Sequence, residues 1–338
     1  MANDIGTDVA IIGAGPVGLF AAFELGMLKL SSVLIDALSE VGGQCAALYP
    51  EKPIYDIPAH PAIDAGELVA QLERQIAPFH PRRLLGRRVT GLAGAPGGFT
   101  LVTDRGDTVR AKAVVIAAGA GAFGPNRPPL DELEQFEASG AVQYYVRRRE
   151  DLRGKRVVIA GGGDSAVDWA LALRDIARVA VVHRRAKFRA APESAAQLDA
   201  AARNGELEMV IPYQLHALHG ADGVLRGVQV ATLQGETRLL PADVLLPFFG
   251  LSMDLGPIAA WGLDRELHHV RTDPATCQTS MSGVFAIGDV ASYPGKLKLI
   301  LQGFSEAAVA AHAIFGVVRP DEALHFEYST TTGVPGRS

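Results

Sequence analysis

The chain has 338 residues and a formal net charge of −5, because 37 Asp and Glu outnumber 32 Lys and Arg. This length suffices for about two globular domains, and the negative charge disfavours binding to nucleic acid. We expect no apolar stretch to approach the ~18 residues that a bilayer span requires. Residues 1–4 also lack the positive charge of a secretion signal, so the composition predicts a cytoplasmic protein without membrane contact.

The start of the chain has the pattern of a strand, a glycine-rich turn and a helix. Asp8–Ile12 is an apolar run that predicts a buried strand, and Pro16–Leu28 predicts the helix. The turn between them has GxGxxG spacing, with Gly13, Gly15 and Gly18. Glycine there lets the backbone turn sharply and approach a pyrophosphate at the helix N-terminus. A second predicted strand, Ser32–Asp36, ends in a carboxylate that can accept a hydrogen bond from a ribose hydroxyl.

The rest of the first predicted domain consists of antiparallel strands and a closing strand. Phe99–Thr103 alternates and is expected to pair with the segment around Val109. Ala113–Ala117 is an apolar run that predicts another buried strand. Gly124–Pro129 contains three prolines and a glycine, which break regular structure and predict a linker. We therefore expect the first segment of this domain to cover residues 1–123.

The middle of the chain repeats the pattern with a different end. A predicted strand at Val157–Ala160 leads into a triple-glycine turn and a predicted helix at Asp164–Leu173. The next predicted strand, Val179–Val182, runs into His183 and two arginines. Guanidinium groups bind a 2′-phosphate in bidentate fashion, whereas a carboxylate would repel it, so this unit predicts NADP rather than NAD. The predicted NADP contacts are Gly161, Gly163, Asp164, Ser165, Arg184, Arg185 and Arg189.

The last part of the chain predicts that one domain is inserted in the other. A hairpin within 224–239 and a buried strand at Asp243–Gly250 complete the second domain, which we place at residues 124–250. Gly283–Val290 predicts a strand and a Gly-Asp turn ahead of a helical run at Ser305–Ala313. Residues 251–338 are too few for a separate sheet and should complete the first domain. The predicted fold class is α/β, with two dinucleotide-binding, Rossmann-like domains, the NADP domain inserted in the other.

Two dinucleotide sites imply a transfer between two cofactors. Nothing else of obvious chemical function lies between the loops, so the most direct reaction is a hydride transfer between NADP(H) and a flavin. The two cysteines, Cys45 and Cys277, are far apart and form no CxxC motif. The chain therefore lacks the dithiol that a disulfide reductase of this architecture needs. The histidines show no spacing typical of metal ligands, and we predict no metal site.

Segments beyond the glycine loops carry a resemblance to a known family. They are Gly42–Lys52 with Ile54–Pro58, Asp151–Val158, and Tyr328–Thr331 after Tyr293–Lys296. In these segments, and almost from end to end, the chain resembles the thioredoxin-reductase-like ferredoxin–NADP reductases. Where thioredoxin reductases carry CxxC shortly before the second loop, this chain has Gln143–Arg148. Cys45 stands where related sequences often have an aliphatic residue.

The resemblance implies which residues hold FAD and cover its ring. The resemblance implies FAD contacts at Asp36, Gln44, Tyr49, Val89, Phe123, Asp289 and Thr330, in addition to the loop glycines Gly13, Gly15 and Gly18. Tyr49 and Tyr328 are implied to cover opposite faces of the isoalloxazine, where each aromatic contact contributes about 1 kcal/mol and excludes solvent. No acid–base residue is expected. Tyr328 would shift to let the nicotinamide stack, which would make residues 328–338 a gate.

The implied function is electron transfer between NADP(H) and ferredoxin, or flavodoxin, through FAD. A hydride would pass to flavin N5 over about 3 to 3.5 Å, and electrons would leave singly to an iron–sulfur partner. The resemblance also implies a homodimer. Basic clusters that converge near the flavin would attract an acidic partner; the candidates are Arg82-Arg83, Arg87-Arg88, Arg147–Arg149, Arg184-Arg185 and Lys296 with Lys298. An NADPH oxidase, a reductase of an external thiol protein and a non-catalytic nucleotide-binding sensor stay open as alternatives.

Overall fold

The chain forms two compact units in the computed structural model, which describes residues 3–119, 121–324 and 333–334. The first unit comprises residues 1–123 and 253–338, and the second unit comprises residues 124–252. The strands are β1 (Asp4–Ile12), β2 (Ser32–Asp36), β3 (Pro53–Ile54), β4 (Ile63–Asp64), β5 (Arg82–Leu85), β6 (Val89–Ala95), β7 (Gly98–Thr103), β8 (Thr108–Ile116), β9 (Ala122–Pro125), β10 (Arg156–Gly161), β11 (Arg178–Val182), β12 (Glu208–Val210), β13 (Gln214–Ala221), β14 (Val224–Ala231), β15 (Thr237–Pro241), β16 (Val244–Phe248), β17 (Leu251–Asp254), β18 (Arg265–Glu266), β19 (His269–Arg271), β20 (Val284–Ala286) and β21 (Ala291–Ser292). The helices are α1 (Pro16–Met27), α2 (Gly43–Ala47), α3 (Ala65–Ile76), α4 (Leu133–Ala138), α5 (Asp164–Leu173), α6 (Pro192–Arg203) and α7 (Ile300–Val318).

The first unit is built on a mixed sheet with the strand order β5-β2-β1-β8-β7-β6. Strands β5, β2, β1 and β8 are parallel, whereas β7 and β6 continue the sheet as antiparallel strands. Strand β20 pairs in parallel with β8 at residues 114–116. The C-terminal segment therefore completes the sheet that the N-terminal segment begins.

Both faces of this sheet are covered, as the near-continuous apolar runs of its parallel strands require. On one face, α1, α3 and α7 pack against alternate strand residues such as Ile11, Leu34 and Val115. On the other face, the intervening residues Ile12 and Ile35 lie in a second apolar cluster. This period-2 division follows from the alternation of side chains along each strand.

The register brings the chemically important ends of the strands together. Ile12 lies opposite both Ile35 and Ile116, so the carboxyl ends of β1, β2 and β8 meet at one edge of the sheet. In open α/β sheets, ligands bind outside the carboxyl ends of the strands. The first glycine loop and the end of β2 lie at this edge.

The second unit contains a parallel sheet with the strand order β12-β11-β10-β16 and an antiparallel sheet with the order β13-β14-β15. Ala160 lies opposite Val182, and Gly161 lies opposite Phe248, so β10, β11 and β16 end together. Apolar residues of both sheets form one core cluster, which includes Val158, Leu225 and Leu245. The second glycine loop follows β10 at the carboxyl edge.

One sequence expectation about regular structure is wrong, and another has bounds that are too narrow. Gly124–Pro129 was expected to form no regular element, but its first two residues end strand β9, which pairs with β17. Proline is compatible with this place because the end of a strand need not donate every backbone hydrogen bond. The helix expected at Ser305–Ala313 extends over Ile300–Val318, since flanking Ile, Phe and Val residues bury against the core.

The longer extent of α7 also overturns the expectation that no apolar stretch is long enough to span a bilayer. Within the described part of the chain, α7 has the length and composition that such a span needs. One face of α7, with Ala307, Ala311 and Ile314, is buried in the core of the first unit. The helix also carries the buried carboxylate of Glu306.

Candidate active site

A cavity of about 440 Å³ opens at the carboxyl edge of the sheet in the first unit. Among the residues predicted to bind a flavin nucleotide, those that line it are Gly13, Gly15, Asp36, Gln44, Tyr49, Val89 and Asp289. Gly18 lies behind the wall, where a Cβ atom would come within 2.0 Å of the Gly13 carbonyl oxygen. Its role is close packing of α1 on the turn, as the third glycine of this motif requires.

The floor of this cavity is free of side chains where the first glycine loop meets the turn at Gly43. Gly13 has φ 109°, and a Cβ atom there would lie 2.3 Å from the Ala117 carbonyl oxygen. A Cβ atom on Gly43 would lie 3.1 Å from Gly15 Cα. Helix α1 begins directly after Gly15, and no side chain caps its N-terminus. A phosphate can therefore approach backbone N–H groups at the positive end of a helix.

Asp36 lies at the end of β2 with both carboxylate oxygens held by the backbone. Oδ2 accepts a hydrogen bond from the Ala14 N–H at 2.6 Å, and Oδ1 accepts one from the Leu38 N–H at 2.8 Å. Burial raises the pKa of Asp36 above its usual value, and the two backbone hydrogen bonds oppose that rise. Each carboxylate oxygen keeps capacity for another donor, so Asp36 can accept a ribose hydroxyl.

Tyr49 and Cys45 form a neutral part of the cavity wall. Burial, the largest cause, raises the pKa of the Cys45 thiol to about 11 and also raises the pKa of the Tyr49 hydroxyl. The Lys52 ammonium lies 5.7 Å from the centroid of the Tyr49 ring. Both side chains stay protonated at neutral pH, so Cys45 is a poor nucleophile, and Tyr49 offers an uncharged aromatic surface.

Arg87 and Arg88 also line the first cavity, although sequence reasoning identified them only as a basic cluster. Arg87 Nε lies 2.7 Å from Oδ2 of Asp107, whose side chain is 1% exposed. Asp107 Oδ1 accepts the Asn3 backbone N–H at 2.8 Å. This backbone hydrogen bond is the largest cause that lowers the pKa of Asp107 to about 2. No local signal marks this pair, because Asn3 and Arg87 are distant from Asp107 in the sequence.

A second cavity, of about 650 Å³, lies at the carboxyl edge of the parallel sheet in the second unit. Of the residues predicted to bind NADP, those that line it are Gly161, Gly163, Arg184, Arg185 and Arg189. Lys187 lines it as well, a cation that sequence reasoning missed although it lies within the same basic run. Asp164 and Ser165 do not line the cavity; both are exposed at the start of α5.

The basic segment after β11 is fastened to the second glycine loop. The Arg189 N–H donates to the Gly162 carbonyl oxygen at 2.6 Å, and the Ala191 N–H donates to Asp164 Oδ1 at 2.9 Å. The His183 ring packs over Gly162, where a Cβ atom would lie 2.1 Å from the ring. Burial lowers the pKa of His183. These contacts hold the phosphate loop and the cationic segment in a fixed relation to each other.

Comparison with known proteins places this geometry in a family. The family model described as pyridine nucleotide-disulphide oxidoreductase matches residues 7–313. The ferredoxin–NADP reductase of Granulibacter bethesdensis is 77% identical over 333 residues, which cover 98% of this chain and 95% of that protein. The ferredoxin–NADP reductase of Acidiphilium cryptum is 75% identical over 337 residues and is covered to 99%, as is this chain.

The chain belongs to the ferredoxin–NADP reductases of the thioredoxin-reductase-like type. The fold agrees: the crystal structure of Lactococcus lactis thioredoxin reductase matches with a TM-score of 0.81 at 24% identity, covering 93% of this chain and 99% of that one. The predicted fold class and family are confirmed. As a member of this family, the chain is an FAD-dependent oxidoreductase whose cofactors are FAD and NADP(H).

The residues of both cavities fit these cofactors. The glycine floor of the first cavity and the uncapped start of α1 suit a pyrophosphate, and Asp36 suits a ribose. The cationic wall of the second cavity suits a 2′-phosphate. Three predicted FAD contacts lie outside this description: the side chain of Phe123, and residues Tyr328 and Thr330. Their roles stay predictions.

Proposed function

We propose that this enzyme transfers electrons between NADP(H) and ferredoxin, with FAD in the first cavity and NADP(H) in the second. The observation that carries the proposal is the contrast between the cavities. A carboxylate, Asp36, ends β2 in the first, whereas Arg184, Arg185 and Arg189 follow β11 in the second. A carboxylate repels a 2′-phosphate and a guanidinium binds it, so each nucleotide has one suitable cavity.

In this proposal the side chains bind and orient, and none exchanges a proton with substrate. When bound, FAD supplies the ability to accept a hydride and to release electrons one at a time. Asp36 and the glycine floor hold its ribose and pyrophosphate, Tyr49 covers the ring, and Asp289 closes the cavity wall. Arg184 and Arg185 orient the nicotinamide nucleotide by its 2′-phosphate. The gate at Tyr328 belongs to the proposal on the strength of the family resemblance alone.

Ferredoxin as the electron acceptor rests on the names of the relatives, with flavodoxin as a possible substitute. The state of the thiols argues against a thiol relay. Cys45 and Cys277 are both free and buried, in separate segments of the first unit. Burial raises the pKa of the Cys277 thiol to about 12, so neither thiol offers the thiolate that disulfide exchange needs. A cytoplasmic homodimer remains part of the proposal.

The proposal is tested by comparing electron acceptors at steady state. The purified holoenzyme is supplied with NADPH and, in turn, with oxidised ferredoxin, flavodoxin, oxygen alone, or an oxidised thiol protein such as thioredoxin. We expect kcat/KM for ferredoxin to exceed that for the thiol protein and for oxygen by at least about 100-fold, as expected for a partner with a dedicated binding surface. Turnover with oxygen or the thiol protein that equals turnover with ferredoxin would contradict the proposal.

A further inference from the structure

A buried ion pair lies behind the wall of the first cavity. Glu306, on α7, pairs with Lys296, and their side chains are 4% and 7% exposed. From the sequence, Lys296 and Lys298 were predicted to form a basic cluster on the surface. In the structure the Lys296 side chain is buried against Glu306. An enclosed cation offers little to a docking partner, so its role lies inside the first unit.

The Glu306 carboxylate joins α7 to the chain segment that precedes it. Oε1 accepts the Tyr293 hydroxyl at 2.6 Å, in addition to pairing with Lys296. Tyr293 is held in turn by Gln302 Nε2, which donates to its hydroxyl oxygen at 2.9 Å. Oε2 accepts the backbone N–H of Gly288 at 2.7 Å. One carboxylate thus contacts a tyrosine, a lysine and a turn.

The turn that Glu306 contacts belongs to the first cavity. Gly288 and Asp289 both line this cavity, as does Ile300 at the start of α7. Gly288 has φ 74°, so the turn is a specific backbone conformation rather than a continuation of β20. The Gly288 N–H is buried, and Glu306 is its acceptor. The position of Asp289 at the cavity therefore depends on a contact made on the far side of the wall.

Stability alone does not account for the pair. Desolvation of two buried charges offsets most of their mutual attraction, and apolar residues of similar volume often replace such pairs without loss. What apolar residues cannot replace is the acceptor for the Gly288 N–H, because a buried donor without a partner is unfavourable. The feature to be explained is therefore the fixed position of the turn.

We propose that Glu306 is a positioning residue, whose side-chain oxygen accepts the Gly288 N–H and so fixes the Gly288–Asp289 turn in the geometry that binds FAD. Lys296 and Tyr293 orient the Glu306 carboxylate through their contacts with Oε1. The inference rests on the proposed assignment of FAD to the first cavity. It does not depend on ferredoxin as the partner.

Two double variants separate positioning from stability. Lys296→Met with Glu306→Gln removes both charges and keeps an oxygen that can accept the Gly288 N–H. Lys296→Met with Glu306→Leu removes both charges and the acceptor. Neither variant leaves a buried unpaired charge, but the Leu variant leaves the buried Gly288 N–H without an acceptor, so we expect it to unfold at a lower temperature than the Gln variant. FAD release is therefore compared at a temperature at which far-ultraviolet circular dichroism shows both variants to be folded. Release of FAD from the diluted holoenzyme, followed by flavin fluorescence, should be near wild type for the Gln variant and at least about tenfold greater for the Leu variant.

Two controls and a spectrum complete the test. Arg156→Met with Asp243→Asn removes an ion pair of the second unit, and FAD release should not change. Asp36→Ala tests the cavity itself: unchanged FAD release there would overturn the cavity assignment and this inference with it. If Asp36→Ala loses FAD, then equal retention by the Gln and Leu variants, with the same visible circular dichroism of bound flavin, would overturn this inference alone.

Discussion

The cationic wall of the second cavity predicts the coenzyme preference of the enzyme. Arg184 is exposed at the cavity and free to meet a 2′-phosphate, so its replacement by Ala removes one charge-assisted contact. Such a contact contributes ~1.5–3 kcal/mol, and exposure to solvent places it at the lower end. Since 1.4 kcal/mol corresponds to a factor of ten, we expect Arg184→Ala to lower kcat/KM for NADPH about tenfold. The value for NADH, which has no 2′-phosphate, should not change.

The assay is steady-state reduction of ferricyanide, which does not depend on the protein partner. Arg203→Ala is the matched control, since Arg203 is an exposed arginine at the end of α6 in the same unit and does not line the cavity. The NADPH preference should also decline as ionic strength rises, because exposed charges are screened. An unchanged ratio of NADPH to NADH efficiency in Arg184→Ala, or the same change in Arg203→Ala, would refute the assignment of the clamp.

Three further predictions concern the second glycine loop, the stability of the fold at low pH, and the two cysteine thiols. Gly162→Ala places a Cβ atom 2.1 Å from the His183 ring, so the ring must move. We expect KM for NADPH to rise about tenfold with FAD content unchanged. An unchanged KM would show that the position of the ring does not affect NADPH binding. Asp107, with its pKa lowered from 3.8 to about 2, stabilises the fold above about pH 4 and loses this contribution as pH falls towards 2. The thermal unfolding temperature of Asp107→Asn, measured between pH 3 and 7, should lack this part of the acid dependence. A profile identical to that of the wild type would contradict this role of Asp107. The pKa values of about 11 and 12 for Cys45 and Cys277 predict that neither thiol of the folded protein reacts with a disulfide reagent at pH 8. The double variant Cys45→Ser with Cys277→Ala should keep its turnover with ferredoxin. Rapid labelling, or loss of turnover without loss of FAD, would support a catalytic role for a thiol.

Elements with strong local signals could be predicted from the sequence. The bounds of Ser32–Asp36 and Asp164–Leu173 agree with the structure, because an apolar strand next to a glycine turn is a local pattern. The insertion of one unit in the other was also predictable, since a short C-terminal strand needs an existing sheet. The length of helix α7 was underestimated because only its small residues were counted, although Ile314 and Val318 are buried and Ile300 packs, partly buried, against the same core.

The features that the sequence did not reveal depend on contacts between distant segments. Arg87 is one of several basic residues in its region, and only the folded chain places it against Asp107. Lys296 was grouped with surface cations because no local pattern shows that the chain folds back to place it against Glu306 on α7. In both cases the sequence shows the charge but not its buried or partly buried partner, since burial is decided by the packing of other elements.

We propose that electrons pass from NADPH through FAD to ferredoxin without a sulfur relay. The most direct measurement is an anaerobic titration of the holoenzyme with NADPH, followed by addition of oxidised ferredoxin, with the flavin absorbance recorded throughout. We expect NADPH to bleach the flavin and ferredoxin to restore its colour. About two ferredoxins should be reduced for each flavin, because each ferredoxin takes one electron. A flavin that NADPH leaves oxidised, or that only a thiol protein reoxidises, would contradict this electron path.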